Sequence, residues 1–334
     1  MPPSILALLT IVIGVSACIG YFYLSNLFLD KVLFPARGPN AGRNINRANM
    51  IRPWLFLFPA VFALSLYLVY PVIETLRLSL TQRVPGGYEW VGTKNYAQMF
   101  TEGKFWEALR NNMLWLIVVP AASTAFGLLA AQLTDRIRWG NVAKSLIFMP
   151  MAISFVGAAV IWKLVYDARP EGQEQIGLLN AIYLYLGGDS VQAWITLPFW
   201  NNFLLMVVLI WIQTGFAMVI LSAALRGIPE ETVEAAIIDG ANPLQIFFKI
   251  KVPQIRSTIL VVWTTITITV LKVFDIVFAM TNGQWQTEVL ANYMYNKLFR
   301  ADDWGVGSAS AIIIMVLVMP ILVWNVRNAR REMS

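Results

Sequence analysis

Long apolar runs alternate with short polar stretches along the whole chain. Seven runs of about 20 residues or more carry few charges, and an apolar helix of that length crosses the ~30 Å hydrocarbon core of a bilayer. Backbone groups in lipid must be hydrogen-bonded within each segment, and these runs are too long and continuous for barrel strands. The pattern therefore predicts an all-α polytopic membrane protein, a bundle of about seven transmembrane helices near 4–29, 53–73, 113–133, 146–166, 203–225, 257–276 and 307–326.

Composition agrees with this pattern. Of 334 residues, 58% are hydrophobic and 13% are charged, far from the average of soluble proteins. The first run follows four residues without Lys or Arg and is too long for a signal peptide, so we expect a retained span. Residues 30–52 are rich in Pro, Gly, Asn and Arg and are interpreted as a cytoplasmic linker. The predicted domains are an accessory helix with its linker (1–52) and a six-helix core (53–334).

Basic residues indicate the orientation. Fifteen Lys and Arg residues fall in polar stretches that would share one side of the membrane, against eight on the other side. Cytoplasmic loops carry the excess of basic residues in membrane proteins. We therefore expect a multi-pass protein of the bacterial inner membrane, with its N-terminus outside and its C-terminus in the cytoplasm. The polar segment 226–256 is expected on the cytoplasmic side.

Several chemistries lack candidate residues. The chain contains no His and a single Cys, Cys18 in the first run, which removes His-based catalytic sets and cysteine metal sites. It has no G-x-x-x-x-G-K-[ST] phosphate loop, so ATP binding by the chain itself is not expected. Its basic residues follow the topology rather than one patch. We expect no catalytic residue, metal, cofactor or nucleic-acid partner.

The polar segment 226–256 has signals for two short helices. Pro229 suits the first turn of a helix, and Gly240 can adopt the left-handed conformation that stops one. Asn242 can cap a second helix, and Pro243 fits its first position. The segment is thus predicted to turn sharply at Gly240.

The faces of these two helices can also be predicted. Val233, Ala236 and Ile237 would lie on one side of the first helix, with acids on the other. Small Ala235 and Ala236 would let a partner surface approach closely, and Pro253 would end the second helix. An ordinary amphipathic connector remains the alternative interpretation.

The same segment carries a spaced motif that resembles the EAA loop of ABC-importer permeases, the cytoplasmic element that seats on the ATPase subunit. The resemblance implies that the ATPase-coupling residues are Glu234, Ala235, Ala236, Asp239, Gly240, Ile250 and Pro253.

Two further stretches resemble carbohydrate-importing permeases. One is their outer segment: Trp90 to Tyr96, Phe105-Trp106 and Asn111. The other is the outer end of their penultimate span: Phe274-Asp275, Met280-Thr281, Gly283 and Thr287. The chain departs from the family at Gly283-Gln284-Trp285, where Gly-Gly-Pro is frequent. The likeness covers about 90–334, is similar to the maltose-type sugar uptake group, and extends more weakly to alpha-glucoside permeases.

The resemblance implies a type I importer core with one extra N-terminal helix. It also implies partners: a second homologous permease, so that a heterodimer is expected, an ABC ATPase dimer and a periplasmic sugar-binding protein. Membrane lipid surrounds the assembly. The expected activity is ATP-driven uptake of a sugar or oligosaccharide by alternating access, without chemical change of the substrate.

Polar residues inside the spans are candidates for the substrate pathway, because they are costly in lipid. Thr265, Thr269 and Lys272 are spaced for one helical face and could hydrogen-bond a sugar. Alternatively, the threonines bond back to their own helix, and Lys272 pairs with Asp275 or extends to the interface. Both interpretations remain open.

The fifth span offers Gln213 and Thr214 near its middle, and the resemblance implies that spans five and six line the pathway.

Two other classes of function are possible alternatives. A membrane enzyme for lipid-linked sugars lacks a catalytic set here. An ion-coupled carrier would place charged relays and often inverted repeats in its spans, whereas the embedded charges are Lys163, Lys272 and Asp275, without symmetric counterparts.

Overall fold

The computed structural model describes residues 2–135, 137–170 and 172–332, with backbone alone at 321–322, 325–326 and 328–332. The described part is mainly helical. Its α-helices are α1 Pro3–Phe28, α2 Ala41–Leu64, α3 Tyr70–Ser79, α4 Lys94–Thr101, α5 Gly103–Thr134, α6 Gly140–Phe148, α7 Phe155–Val165, α8 Leu178–Tyr185, α9 Trp200–Arg226, α10 Glu230–Ile238, α11 Pro243–Gln245, α12 Val252–Gln254, α13 Arg256–Leu271, α14 Asp275–Met280, α15 Leu290–Tyr295 and α16 Trp304–Glu332.

Shorter elements connect these helices. An antiparallel hairpin, β1 Thr81–Val84 and β2 Gly87–Trp90, pairs Thr81 with Trp90. The π-helical turns are Leu29–Leu33, Ser65–Val69, Ile246–Lys251 and Asn296–Arg300, and the 3-10 turns are Met149–Ala152 and Trp194–Thr196.

The chain divides into two compact units, Met1–Glu74 and Thr75–Ser334. In the first unit, Tyr21 Oη donates to the carbonyl of Leu55 at 2.9 Å, which joins α1 to α2. No residue of α1 is buried, and a helix that is apolar all round is typical of a membrane span. The expected linker at 30–52 is helical from Ala41 onward.

Four helical stretches of the described residues are long and apolar enough to cross a membrane, or up to six if each bent pair counts as one span. α16 begins with a shorter apolar stretch. Each predicted run overlaps one of these elements: Pro3–Leu33, Ala41–Ser79, Gly103–Thr134, Trp200–Arg226, the bent pairs Gly140–Ala152 with Phe155–Val165 and Pro243–Gln254 with Arg256–Leu271, and Trp304–Pro320.

Two predicted spans are not continuous helices. The run at 146–166 bends by 105° before α7, whose first turn is capped by Ser154 Oγ, which accepts from the Gly157 amide at 3.1 Å. The run at 257–276 stops at the end of α13. The separate helix α14 then packs against α7 and buries Ile276 and Val277. The local sequence around residue 271 gives no information on this contact, because α7 lies more than 100 residues earlier in the chain.

The core of the second unit lies along α5 and α9. Trp115 and Val119 of α5 and Leu209 of α9 are fully or almost fully buried there. A Cβ atom on Gly127 would lie 2.4 Å from Cβ of Ala217, so glycine is required for this approach of the two helices. Small residues at such crossings are typical of helices packed in membranes.

Candidate coupling segment and transport pathway

The segment 226–256 folds as two short helical arms joined by a left-handed turn. α10 begins directly after Pro229 and carries Glu230 and Glu231 in its first turn, where negative charge complements the helix dipole. The chain then turns at Gly240 with φ +81°. The predicted helix stop at Gly240 is confirmed.

Asn242 caps the second arm. Its Oδ1 accepts from the Gln245 amide at 2.9 Å, while Gln245 Oε1 accepts from the Asn242 amide at 2.9 Å, which forms a capping box. Pro243 occupies the first helical position, as predicted. Pro253 is the penultimate residue of the second arm, which continues through Gln254, one residue beyond the predicted end. The chain bends by 72° between this arm and α13, at Ile255.

The motif residues divide between a packed face and an open face. Ile237 was predicted to share one side of α10 with Val233 and Ala236, but it is 59% exposed, whereas Ala236 is buried and Val233 is half-buried. Ala236 is buried, Ile250 is half-buried, and Glu234, Ala235, Asp239, Gly240 and Pro253 are exposed.

Four large apolar side chains stand out around the Gly240 turn, and we call them the apolar rim: Ile237, Ile238, Leu244 and Phe248, which are 59%, 85%, 69% and 62% exposed. Contiguous exposed apolar groups with polar neighbours mark interaction sites. A cleft of about 560 Å³ between the end of α9 and the start of α10 is lined by Arg226, Glu230 and Glu234, among others. The segment therefore carries both an exposed apolar surface and a cleft with charged walls.

A cavity of about 300 Å³ lies where α7, α9, α13 and α14 meet. It combines aromatic faces with a hydroxyl, an ammonium and a carboxylate. Its lining residues are Phe155, Leu209, Thr269, Lys272, Val273, Phe274, Asp275 and Ile276. Such a mixture can both stack against and hydrogen-bond a ligand that carries hydroxyl groups.

The structure separates the candidates of the sixth span. Thr269 and Lys272 line this cavity, but Thr265 is exposed outside it. Lys272 follows the end of α13 and has non-helical backbone angles, so the predicted continuous face does not extend through it. Lys272 and Asp275 form no ion pair, although both border the cavity.

Both threonines hydrogen-bond to their own helix. Thr265 Oγ1 donates to the carbonyl of Val261 at 2.8 Å, and Thr269 Oγ1 donates to the carbonyl of Thr265 at 3.2 Å. Each hydroxyl oxygen still has lone pairs that can accept. The two interpretations of these residues are therefore compatible at Thr269.

The candidates of the fifth span lie elsewhere. Gln213 is buried in α9, and Thr214 Oγ1 donates to the carbonyl of Ile210 at 2.7 Å. α9 reaches the cavity at Leu209, one turn before Gln213. The structure thus does not bring Gln213 and Thr214 to the cavity that holds Thr269.

Two Asn pairs, neither of them among the predicted site residues, hold the loop before α15. Asn111 Nδ2 donates to the carbonyls of Gln286 and Glu288 at 2.9 and 2.8 Å. Asn202 Nδ2 also donates to the Gln286 carbonyl, at 3.1 Å. Trp285 and Gln286 have φ of +53° and +64°, which is strained for residues with side chains. The only sign of these contacts in the sequence is the Asn-Asn dipeptide that occurs at both 111–112 and 201–202.

Asn201 and Asn112 complete the attachment of this loop. Asn201 Nδ2 donates to the Trp285 carbonyl at 2.6 Å, and Asn112 Oδ1 accepts from the Leu290 amide at 2.8 Å. The loop also buries Glu288, and burial raises the pKa of its carboxyl. Gly283-Gln284-Trp285, where the family often has Gly-Gly-Pro, therefore lies in a loop whose backbone is held by side chains of α5 and α9.

The residues that the structure describes contain no group of three or more His, Cys, Asp or Glu side chains that could hold a metal ion. Long apolar helices, with a segment of two short helical arms between two of them, indicate a membrane protein that crosses the bilayer several times. Residues 123–332 match the binding-protein-dependent transport system inner membrane component family, and the chain belongs to this family. This confirms the predicted permease class: the chain is a transport subunit rather than a membrane enzyme.

Named relatives and a solved structure agree with the family. The chain is 66% identical to the alpha-glucoside transport system permease protein AglF of Rhizobium meliloti (strain 1021), over 99% of both chains. It is 50% identical to the osmoprotective compounds uptake permease protein GgtC of Synechocystis sp., over 83% of this chain and 99% of GgtC. A crystal structure of a bacterial ABC transporter for the polysaccharide alginate covers 87% of this chain and 99% of its own, with TM-score 0.72 and 20% identity, which confirms the type I importer fold.

Proposed function

We propose that this chain is one of two transmembrane subunits of an ATP-driven importer, and that its substrate is an alpha-glucoside. The observation that supports coupling is the shape of 226–256: two capped arms around Gly240 with the apolar rim on their open side. A rigid projection of this kind suits docking into a cleft of an ATPase. Glu234, Ala235, Ala236 and Asp239 would lie at that contact.

The substrate class rests on likeness and chemistry together. The 66% identical relative is named for alpha-glucoside transport, whereas the 50% identical relative is named for osmoprotective compounds. The higher identity over nearly the whole of both chains favours the alpha-glucoside. The cavity supports this choice, because Phe155 and Phe274 supply apolar faces and Thr269 and Lys272 supply hydrogen-bonding groups.

The remaining partners follow from the mechanism. One coupling segment per chain matches one ATPase subunit, so a dimer of ATPases requires a second permease, which we propose to be a homologous chain. A periplasmic sugar-binding protein would deliver the substrate to the side opposite the coupling segment. ATP-driven closure would draw two coupling segments together and rock the attached helices between inward-open and outward-open states.

The orientation is also part of the proposal. The excess of basic residues supports a cytoplasmic coupling segment and C-terminus, with the N-terminus outside. Met1 and Ser334 themselves lie outside the described residues. The segment would then face the ATPase, which has access to cytoplasmic ATP.

Uptake by the complete complex in proteoliposomes tests the function. We expect a labelled alpha-glucoside to accumulate only with ATP at the face of the coupling segment and with the binding protein at the opposite face. A beta-glucoside of equal size and a small osmoprotectant serve as competitors. Preferential uptake of the osmoprotectant would overturn the substrate, and uptake independent of ATP would overturn the mechanism.

The docking role has its own test. Ile238→Glu places a charge on the most exposed member of the apolar rim. We expect the ATPase subunit no longer to co-purify with this variant. Ile176→Glu is the matched control, because Ile176 is 51% exposed in a loop distant along the chain from the segment. Equal ATPase recovery with both variants would exclude docking through the rim.

A further inference from the structure

A polar cluster joins three helices at the C-terminal ends of α5 and α9. Asp135, directly after α5, accepts from Lys144 of α6 and from Ser222 and Arg226 of α9. Ser222 Oγ lies 3.0 Å from Asp135 Oδ1, and Arg226 Nε and Nη2 lie 3.0 and 2.9 Å from the same oxygen. Lys144 Nζ also donates to Ser222 Oγ at 2.6 Å. We call these four residues the Asp135 cluster.

The inner members of this cluster are largely withdrawn from water. The side chains of Asp135 and Lys144 are 19% and 14% exposed, whereas Arg226 is 60% exposed. Burial acts to raise the pKa of the Asp135 carboxyl, but hydrogen bonds from Lys144, Arg226 and Ser222 outweigh it and hold the pKa below its ordinary value. The carboxylate is therefore ionised at neutral pH and offsets the nearly buried ammonium.

The position of the cluster relates it to the coupling segment. Arg226 is the last residue of α9, and α10 begins only four residues later, at Glu230. Arg226 also lines the 560 Å³ cleft together with Glu230 and Glu234 of α10. Along the chain, a displacement of α10 therefore reaches α9 at Arg226, which belongs to the cluster.

We propose that Asp135 is a positioning residue that fastens α5 and α6 to the base of α10, so that a movement of α10 displaces three helices together. This inference rests on the proposed function, because it assumes an ATPase that moves α10. Charge-assisted hydrogen bonds are stronger and shorter than neutral ones, and here they converge on one oxygen. Without Asp135 the last turn of α9 lacks this anchor, so part of the movement is absorbed locally and less reaches the other helices.

The test is the number of sugar molecules transported per ATP hydrolysed by the reconstituted complex. Asp135→Asn keeps the shape but removes the charge, and we expect this ratio to fall roughly fivefold or more, at the lower end of typical coupling between sites. Arg138→Gln is the matched control, since it removes an exposed charge from the same connection, and Arg138 forms no ion pair among the described residues. The control should keep the parental ratio.

A merely structural role predicts a different result. If Asp135→Asn only weakened folding, transport and ATP hydrolysis would fall in proportion and the ratio would stay constant, which would overturn the inference. If that variant does not assemble, Ser222→Ala removes one hydrogen bond and provides the same comparison at a smaller effect. Asp135→Glu should restore much of the ratio.

A double variant separates the cluster from independent effects. Because Asp135 and Lys144 act as a pair, Asp135→Asn with Lys144→Met should lower the ratio no further than Asp135→Asn alone. Additive losses would contradict a shared role. Absence of ATP-dependent uptake by the parental complex would instead contradict the proposed function, so the two failures are distinguishable.

Discussion

The backbone amide of Ala241 donates to the carbonyl of Ala236 at 3.0 Å, across the left-handed residue Gly240. The Gly240 amide donates in turn to the carbonyl of Ile237 at 3.0 Å. This pair of bonds is a Schellman motif, which satisfies carbonyls that the end of α10 would otherwise leave open. The angle between the two coupling arms therefore depends on the φ of a single residue.

Replacement of Gly240 by Ala should separate ATP hydrolysis from transport. A left-handed conformation costs a residue with a side chain about 1–2 kcal/mol, so the arms would relax to another angle and fit the ATPase poorly. Open space surrounds the glycine, so a clash cannot explain the effect. We expect sugar uptake in proteoliposomes to fall about tenfold, with the ATPase rate no longer stimulated by the binding protein.

Gly42→Ala is the control for this prediction. Gly42 also has open space around it but lies in α2 with ordinary backbone angles, so the added methyl group should have no effect on uptake. If both variants transport at the parental rate, the Gly240 turn does not set the geometry of coupling.

A second prediction concerns the pathway. Thr269 lines the cavity, and Thr269→Val retains the shape of its side chain but removes the hydroxyl. A lost neutral hydrogen bond costs about 0.5–1.5 kcal/mol. The KM for sugar uptake should rise by up to roughly tenfold, while ATP hydrolysis without substrate stays constant. Thr265→Val is the matched control, because Thr265 is one turn away on the same helix and does not line the cavity. Equal KM changes in both variants would remove Thr269 from the substrate site.

Sequence predicted the features that depend on a few neighbouring residues. Gly240, Asn242 and Pro243 act through local backbone rules, so the turn, the cap and the start of the second arm are as predicted. The end of α13 at Leu271 is different, because it depends on the packing of α14 against α7. No window around Lys272 contains that contact.

The loop before α15 illustrates the same limit at greater distance. Asn111 holds the carbonyl of Gln286, 175 residues later in the chain. The Asn-Asn pairs were visible, but their partners are backbone carbonyls, which have no signature in the sequence. Likewise, Asp135 and Arg226 are 91 residues apart in the chain. In the sequence, Arg226 contributes only to the count of basic residues that predicts topology, and its contact with Asp135 depends on the fold.

The proposed orientation can be tested by labelling single cysteines in a Cys18→Ala background. Arg138→Cys should react with a membrane-impermeant maleimide only after the cells are permeabilised, because the α5–α6 connection is expected inside. Asp189→Cys should react in intact cells. Asp189 is preferable to Gly187, which has φ +93° and would be strained by a side chain. The reverse pattern of labelling would invert the topology.

The last prediction concerns the pH dependence of stability at Glu288. Burial raises the pKa of this carboxyl above its ordinary value of 4.5, and hydrogen bonds from Asn292 and the Val289 amide oppose that effect without outweighing it. Lys104 favours the ionised form, and Glu107, which accepts from the Glu288 amide at 3.2 Å, disfavours it. The folded state therefore holds the proton more tightly than the unfolded state does.

The sign of the effect follows from this difference in proton affinity. Stability contributed by protonated Glu288 is complete below pH 4.5 and is lost as the pH rises through the raised, folded-state pKa. Glu288→Gln keeps the shape and cannot ionise, so its thermal midpoint should exceed that of the parent at pH 7.5 by about 2–4 °C per kcal/mol regained and should approach the parental value near pH 4.5. Intrinsic tryptophan fluorescence of the purified complex measures both midpoints.

Glu89→Gln, on the exposed strand β2, is the control. Its thermal midpoint should stay within about 1 °C of the parental value at each pH, because surface substitutions have small effects on stability. A difference between Glu288→Gln and the parent that does not change with pH would show that packing, rather than ionisation, accounts for it.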